Sequence, residues 1–320
     1  MNNFWDTLPK PFFVLAPLAN VTDAAFRSLI AKYSKPAGPQ VMYTEFVSAD
    51  GLVRGNRELL LRDLAFSELE RPIVAQFFTS TPSYMEEVAG LAQELGFDGV
   101  DINMGCPDKA VEKQGGGAAL IKDMPLAVKL IEAAQRGAPS LPISVKTRLG
   151  YNKDMLEEWV PMLLSTPIAA LTLHARTRKE MSKVPAHWDR ITRAVEIRDT
   201  LKSTTRIIGN GDAKNLADAR DKAAVSGADG VMLGRAIFGT PWLFDESKQL
   251  SLKEHLQIAL EHTELFEELL GDIKNFAIMK KHFKAYIEGF PGAKELRVRL
   301  METKDAQEVQ QIIREYLASI

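Results

Sequence analysis

The sequence carries a single cysteine, Cys106, in 320 residues, so no disulfide can form within the chain. It has no stretch approaching the roughly 18–20 consecutive apolar residues that span a bilayer. Residues 1–11 lack the basic-then-apolar pattern of a secretory leader. A reducing, cytoplasmic setting with no membrane partner is the expectation. Neither sign of charge is in excess, since 40 Lys and Arg face 42 Asp and Glu for a formal net charge of −2. A polyanionic partner would therefore have to meet a local basic patch. The histidines His174, His187, His255, His262 and His282 are scattered without metal-ligand spacing, and no metal site is expected. Low-complexity segments and short-period repeats are missing as well.

What is present has the balance of a globular protein, with 46% apolar and 26% charged residues. The length allows one large domain, or a large one with a small appendage. To about residue 245, short β-rich runs alternate with helical patterns. Strands are predicted at 12–16, 41–45, 72–77, 99–103, 142–147, 169–174, 206–210 and 229–233. Most are nearly continuous apolar runs, as expected of strands covered on both faces. Helical periodicity fills the intervals, for example over 84–95, 127–134 and 216–225, with Asp212 as a candidate cap for the last. Eight such units within about 235 residues fit a (β/α)₈ TIM barrel, which needs ~250. A doubly wound open sheet fits less well, because no Gly-x-Gly-x-x-Gly follows the first strand.

Beyond Phe244 the strand pattern stops. Helical stretches at 252–270, 275–288 and 306–318, with a break at Pro291-Gly292, predict a small C-terminal helical domain. The division expected is 1–245 for the barrel and 246–320 for the appendage. From Lys274 to Arg299 the tail holds seven Lys or Arg (274, 280, 281, 284, 294, 297 and 299) against two acids, with Phe276, Phe283 and Tyr286 interleaved. That is the footprint of phosphate contact, with Lys280, Lys281 and Lys284 as the candidates. The alternative is a solvated helix face whose aromatics pack inward.

Barrel enzymes keep their chemistry at the C-terminal ends of the strands. Those ends carry Pro17-Leu18-Ala19-Asn20, Glu45, Gln76, Asn103 with Cys106, Lys146 with Arg148, His174 with Arg176, Asn210-Gly211-Asp212 and Gly234-Arg235. Polar strand ends are common, but a Lys, a His and a Gln on apolar strands, with the lone Cys just beyond another, are not. Gly234-Arg235 before a helix, beside the turn at 209–212, is the kind of phosphate site that many barrels form after strands seven and eight.

Seven segments in order resemble the tRNA-dihydrouridine synthases: APLANVTDAAFR (16–27), DINMGCP (101–107), KQGGGAAL (113–120), SVKTRLG (144–150), LHARTR (173–178), IGNGD (208–212) and GRAIFGTPWLF (234–244). The resemblance implies a barrel holding FMN, a helical domain that helps bind tRNA, and NADPH as electron donor. Carried over by position, it places flavin contacts at Pro17, Leu18, Ala19, Gln76, Lys146, His174, Asn210, Gly211, Asp212, Gly234 and Arg235. Cys106 falls at the family's proton donor and Asn103 where the target uracil is held. Two departures stand out. Leu18 and Asn20 replace the family's common Met and Gly, and no glycine follows Gln76. Leu preserves the volume of Met, and Asn tolerates a positive φ better than most residues.

Reduction of a uracil C5–C6 bond needs a hydride on one carbon and a proton on the other. A thiol with an ordinary pKa near ~8.5 is protonated at neutral pH and can supply the proton. Cys106 could instead be a buried structural thiol. Lys146 suits the anionic edge of a reduced flavin, with a Schiff-base lysine as the alternative. His174 and Arg176 suit phosphate or pyrimidine carbonyls, although His174 also fits a hydrogen-bonded core position. Arg148 is a candidate RNA or substrate contact, and Glu45 a supporting group. A monomer is the expected assembly. The rival readings are an FMN barrel acting on a free pyrimidine, as dihydroorotate dehydrogenases do, a flavin-free aldolase-like barrel, and a non-catalytic RNA-binding barrel.

Overall fold

A computed structural model describes residues 3–319. Its strands are β1 (Phe12–Leu15), β2 (Met42–Ser48), β3 (Ile73–Phe78), β4 (Gly99–Met104), β5 (Ile143–Arg148), β6 (Ala170–His174), β7 (Arg206–Asn210) and β8 (Gly230–Leu233). β2 to β8 pair in parallel, each with its neighbour in sequence, and β8 pairs with β1. A bridge between Val14 and Val41 joins β1 to the entry of β2, with Leu15 N–H donating to Val41 O at 3.1 Å, and this closes the barrel. β2 outruns its predicted end by three residues because its register shifts between Tyr43 and Phe46. There the Thr44 hydroxyl, not a backbone carbonyl, accepts the Gln76 N–H at 3.0 Å. A bulge of this kind re-aims side chains at a barrel rim.

The helices are α1 (Ala24–Ser34), α2 (Ala49–Arg54), α3 (Arg57–Leu61), α4 (Pro82–Glu94), α5 (Lys109–Lys113), α6 (Met124–Gly137), α7 (Leu156–Leu164), α8 (Trp188–Thr200) and α9 (Leu216–Ser226) around the barrel. The tail follows with α10 (Leu252–Leu270), α11 (Met279–Tyr286), α12 (Ala293–Met301) and α13 (Ala306–Ala318). One expected cap is corrected. Asn215, not Asp212, accepts the Asp218 N–H that starts α9, at 2.8 Å, because Asp212 spends its carboxylate on two arginines.

Alternation along the strands sorts the side chains into two layers. Leu15, Ala75, Ile102, Val145, Leu173 and Leu233 face the helices. A separate cluster, which includes Phe12, Val14, Tyr43, Val74, Ile208 and Met232, fills the barrel interior. Two residues further along the inward rows the side chains turn polar: Val74 gives way to Gln76 and Ile208 to Asn210, while on β5 Ser144 is followed by Lys146. The apolar plug thus forms the floor of a polar mouth.

The tail shares the barrel's core. One hydrophobic cluster runs unbroken from Leu15 to Ile313. Phe26 of α1 stacks on His262 of α10 with ring centroids 4.5 Å apart, and His282 of α11 meets His262 edge-on. Phe283 and Tyr286 are fully buried and Phe276 packs partly buried against the same core, so the aromatics interleaved with the basic residues face inward. Lys274, counted above with the basic tail, is also corrected. It is half-buried against Glu45 and Asp63, with Nζ–O distances of 2.5 and 2.9 Å.

Candidate active site

A cavity of about 1030 Å³ opens at the C-terminal end of the barrel. All the barrel residues singled out for cofactor, substrate or proton line it, from Pro17, Leu18 and Ala19 through Gln76, Asn103, Cys106, Lys146, Arg148, His174 and Arg176 to Asn210, Gly211, Asp212, Gly234 and Arg235. Lys280, Lys281 and Lys284 do not line it. They sit on α11, where positions 280 and 284 share a face, and Lys281 Nζ donates to Asn20 O at 3.3 Å on the β1 loop. Asn20 itself holds a φ of +53°, the left-handed conformation that Asn tolerates.

The sequence reading missed Phe46, which the β2 bulge turns into the cavity, and the segment 182–185 from the long β6–α8 loop, including Lys183. The length of that loop was the available signal. A long βα loop must cross the mouth, because every such loop leaves a strand at that end.

Cations dominate this mouth. Lys146, Arg148, Arg176 and Arg235 line the cavity with His174, and the one acid among its lining residues, Asp212, is already paired. Lys146 has no carboxylate within ion-pair reach among the described residues. Burial, reinforced by Arg148, pushes its pKa down to about 8. His174 is held well below its usual range by burial and by the surrounding cations, so it stays neutral. Its Nε2 lies 3.1 Å from Arg176 Nη1. Because guanidinium only donates, Nε2 accepts and the ring proton resides on Nδ1.

Arg176 and Arg148 are more committed than solvated contacts would be. Arg176 donates from Nε to Val184 O at 2.7 Å and from Nη2 to Asp212 Oδ2 at 2.5 Å, tying the 182–185 segment to the β7 turn. Arg148 is buried, with Nε on Gly105 O at 2.8 Å and Nη1 on Thr177 O and Met181 O. It braces the Cys106 loop from the adjacent strand. Burial, with the charges of Arg176 and Arg178 beside it, lowers its pKa to about 10. Gly211 has a φ of +129°, and a Cβ there would meet Ala186 Cβ at 2.8 Å, so the close approach of the two loops requires glycine.

Cys106 is half-buried at the rim. Burial pushes its thiol above the ordinary value, which keeps it protonated at neutral pH. Its N–H donates to Asn103 Oδ1 at 2.9 Å, and its carbonyl accepts from Ala118 N at 2.9 Å. Gly117, at a φ of +60°, lets the second loop press on it, since a Cβ there would lie 2.6 Å from Cys106 O.

A half-buried lysine with no acid within ion-pair reach among the described residues, a neutral imidazole, a carboxamide and open turns after β7 and β8 form a donor set suited to a planar, phosphorylated and anion-forming cofactor. Residues 14–320 match the family model described as dihydrouridine synthase. The chain belongs to the dihydrouridine synthase family. Membership makes it an enzyme, a flavin-dependent oxidoreductase. It is 39% identical to a probable tRNA-dihydrouridine synthase of Staphylococcus aureus (strain MRSA252), over 99% of this chain and 97% of that one. It is 40% identical to probable tRNA-dihydrouridine synthase 2 of Bacillus subtilis (strain 168), over 99% of each. Among solved structures it is similar in fold to the old yellow enzyme homologue from Zymomonas mobilis, with a TM-score of 0.50, 14% identity, and coverage of 76% of this chain and 90% of that one. Histamine dehydrogenase from Rhizobium sp. 4-9 gives a TM-score of 0.52 at 13% identity, covering 79% of this chain and 48% of that one. These two likenesses bear on the barrel alone.

Proposed function

We propose that this dihydrouridine synthase reduces the C5–C6 bond of uridines in tRNA, with FMN in the barrel mouth, NADPH as electron donor and Cys106 as the acid. The observation that carries the reading is a protonated thiol at the rim of a cavity rich in cations, whose one lining acid is already paired. FMN, when bound, supplies the hydride. Lys146 offers its ammonium to the flavin's anionic edge, Gln76 and His174 offer hydrogen bonds, and Gly234-Arg235 with Asn210-Gly211-Asp212 receive the phosphate. Asn103 and the free edge of Arg148 face the target base, with Arg176 holding the wall behind it. The Cys106 thiol gives its proton to the carbon that does not take the hydride.

A uridine must leave its stack to reach such a mouth. Residues 246–320 would then serve as the tRNA-binding unit, with Lys280, Lys281 and Lys284 against phosphates close to the β1 loop. No described helix is long and apolar enough to cross a membrane. A monomer in the cytoplasm is the form we propose.

The test is the absorption spectrum of the purified protein, followed by an assay for dihydrouridine in unmodified tRNA with NADPH. A flavin spectrum and dihydrouridine formation are expected. Cys106→Ala should lower that formation by ~10²–10⁴, the range for loss of a general acid, while NADPH still bleaches the flavin. A flavoprotein that ignores tRNA and reduces a free pyrimidine would favour the rival reading. A protein that stays colourless after incubation with FMN would end the assignment of the cavity to that cofactor.

A further inference from the structure

Beneath the cavity lies a carboxylate that the reaction as described does not use. Asp101, on β4, is fully buried. Its Oδ1 accepts from Ser144 Oγ at 2.6 Å and its Oδ2 from Gln76 Nε2 at 2.6 Å. Gln76 Oε1 in turn accepts from Asn103 Nδ2 at 3.1 Å. Asn103 Oδ1 then accepts from two backbone N–H groups, those of Gly105 at 3.1 Å and Cys106 at 2.9 Å. We infer that Asp101 is a positioning residue whose carboxylate, acting through Gln76 and Asn103, fixes the loop that carries Cys106.

The sense of the hydrogen bonds carries the argument. A carboxamide has one donor end and one acceptor end, and it can be turned over at little cost in shape. At the loop, two N–H groups can be met only by an oxygen, which sends the Asn103 nitrogen toward Gln76. Gln76 must answer with its oxygen, and its nitrogen then points down the barrel. Only an acceptor can receive it there. A carboxylate accepts on both oxygens and donates from neither, so it holds the whole relay in one direction. Without that acceptor Gln76 is free to turn over, Asn103 turns with it, and the two loop N–H groups lose their partner. Buried donors left in that state are costly enough to move a loop.

Asp101 is not kept as half of an ion pair. Burial raises its pKa to about 6, and the cation that acts on it, Lys146, lies beyond ion-pair distance. Of its two partners, Ser144 lies beside it on β5 and needs no fixed direction, since a hydroxyl can rotate. Gln76 is the partner that depends on the acceptor.

The inference rests on the reading of Cys106 as the acid, and its test is chosen to separate the two. Rates of alkylation of Cys106 by iodoacetamide across pH report the loop directly, whatever the thiol does in turnover. Single-turnover half-reactions, flavin reduction by NADPH and flavin reoxidation by unmodified tRNA, report the consequence. Asp101→Asn keeps an oxygen for Gln76 and can turn its nitrogen to the Ser144 hydroxyl. It should alkylate and reoxidise within threefold of the parent. Asp101→Leu should alkylate at least fivefold faster and reoxidise with tRNA at least thirtyfold more slowly, with flavin reduction slowed far less, by no more than the disturbed Gln76 contact to the flavin accounts for. In Asp101→Leu/Gln76→Met both partners of the broken link are apolar. It should show the same Cys106 reactivity as Asp101→Leu, and it decides the matter should the single variant not fold. Parent-like alkylation in whichever Leu-bearing variant folds would overturn the inference. So would an Asn variant as impaired as Leu, or equal slowing of both half-reactions, which marks general damage to the barrel. If instead Cys106→Ala turned over normally while the alkylation pattern held, the relay would stand and the acid assignment would fall.

Discussion

Lys146 and Lys274 are both half-buried, largely desolvated lysines, one at the barrel mouth and one at the seam between barrel and tail, and their surroundings are opposite. Lys274 has two carboxylates in contact, Glu45 and Asp63, and although burial alone would lower its pKa, the net shift is upward. Lys146 has none within reach, and burial lowers its pKa to about 8. A buried cation with its acids in place belongs to the fold, because its desolvation is offset within the protein. A buried cation without them raises the free energy of the empty cavity and lowers it again when an anion arrives. The contrast separates structure from site more sharply than exposure does.

The largest effect expected from this contrast is at the mouth. Lys146→Met should weaken FMN binding and slow turnover by ~10²–10³, as removal of one well-placed electrostatic group does. The FMN-free variant should melt no lower than the parent. Fluorescence titration with FMN and a melting curve check both, and a lower melting temperature would erase the distinction. Next in size is the seam. Lys274→Met strands one buried carboxylate, Glu45, and one half-buried one, Asp63, and should cost about 3 kcal/mol, seen as an earlier denaturant midpoint.

A smaller effect is the pH dependence of stability. Between pH 8 and 10.5 the unfolded chain holds a proton on Lys146 that the folded one has released, so this group makes stability rise with pH there. Lys274, with its raised folded value, works the other way. Its contribution is complete below its unfolded pKa and is lost as pH climbs through the folded one. Denaturation of FMN-free parent and Lys146→Met across this window should differ by a term that grows as pH falls from 10.5 to 8. Saturating FMN should shrink that difference. Smallest of all, single replacement of Lys280, Lys281 or Lys284 by Ala should weaken tRNA binding a few-fold and reduce its salt slope by about 1 each, with melting unchanged. A slope that does not move would remove that residue from the tRNA interface.

Much of this was legible because barrel strands are short, apolar and evenly spaced. The bounds of β7 fall where the sequence predicts them, and α10 and α13 coincide with the predicted stretches. Gly-Arg and Asn-Gly-Asp at strand ends were readable as cavity residues because parallel topology sends every C-terminal end to one mouth. Three things were not legible. The bulge that turns Phe46 inward depends on a local slip of pairing between β2 and β3. α12 lacked a clean apolar stripe, since Val298 on it is exposed. Lys274 read as one more basic residue because its acids lie more than 200 positions away in sequence.

By itself the sequence determined the eightfold alternation, the switch to an all-helical tail, and which residue types stand at the strand ends. These are local matters of periodicity and turn chemistry, and side chains declare them one segment at a time. Only the tertiary structure decided which charges were paired and which were left open. It placed Glu45 under Lys274, set Arg176 between His174 and Asp212, and stacked Asp101, Gln76 and Asn103 into one line ending at Cys106. Hydrogen bonds and ion pairs act over about 3 Å in space, and a chain folded into a closed barrel sets that distance between residues whose separation in sequence says nothing of it.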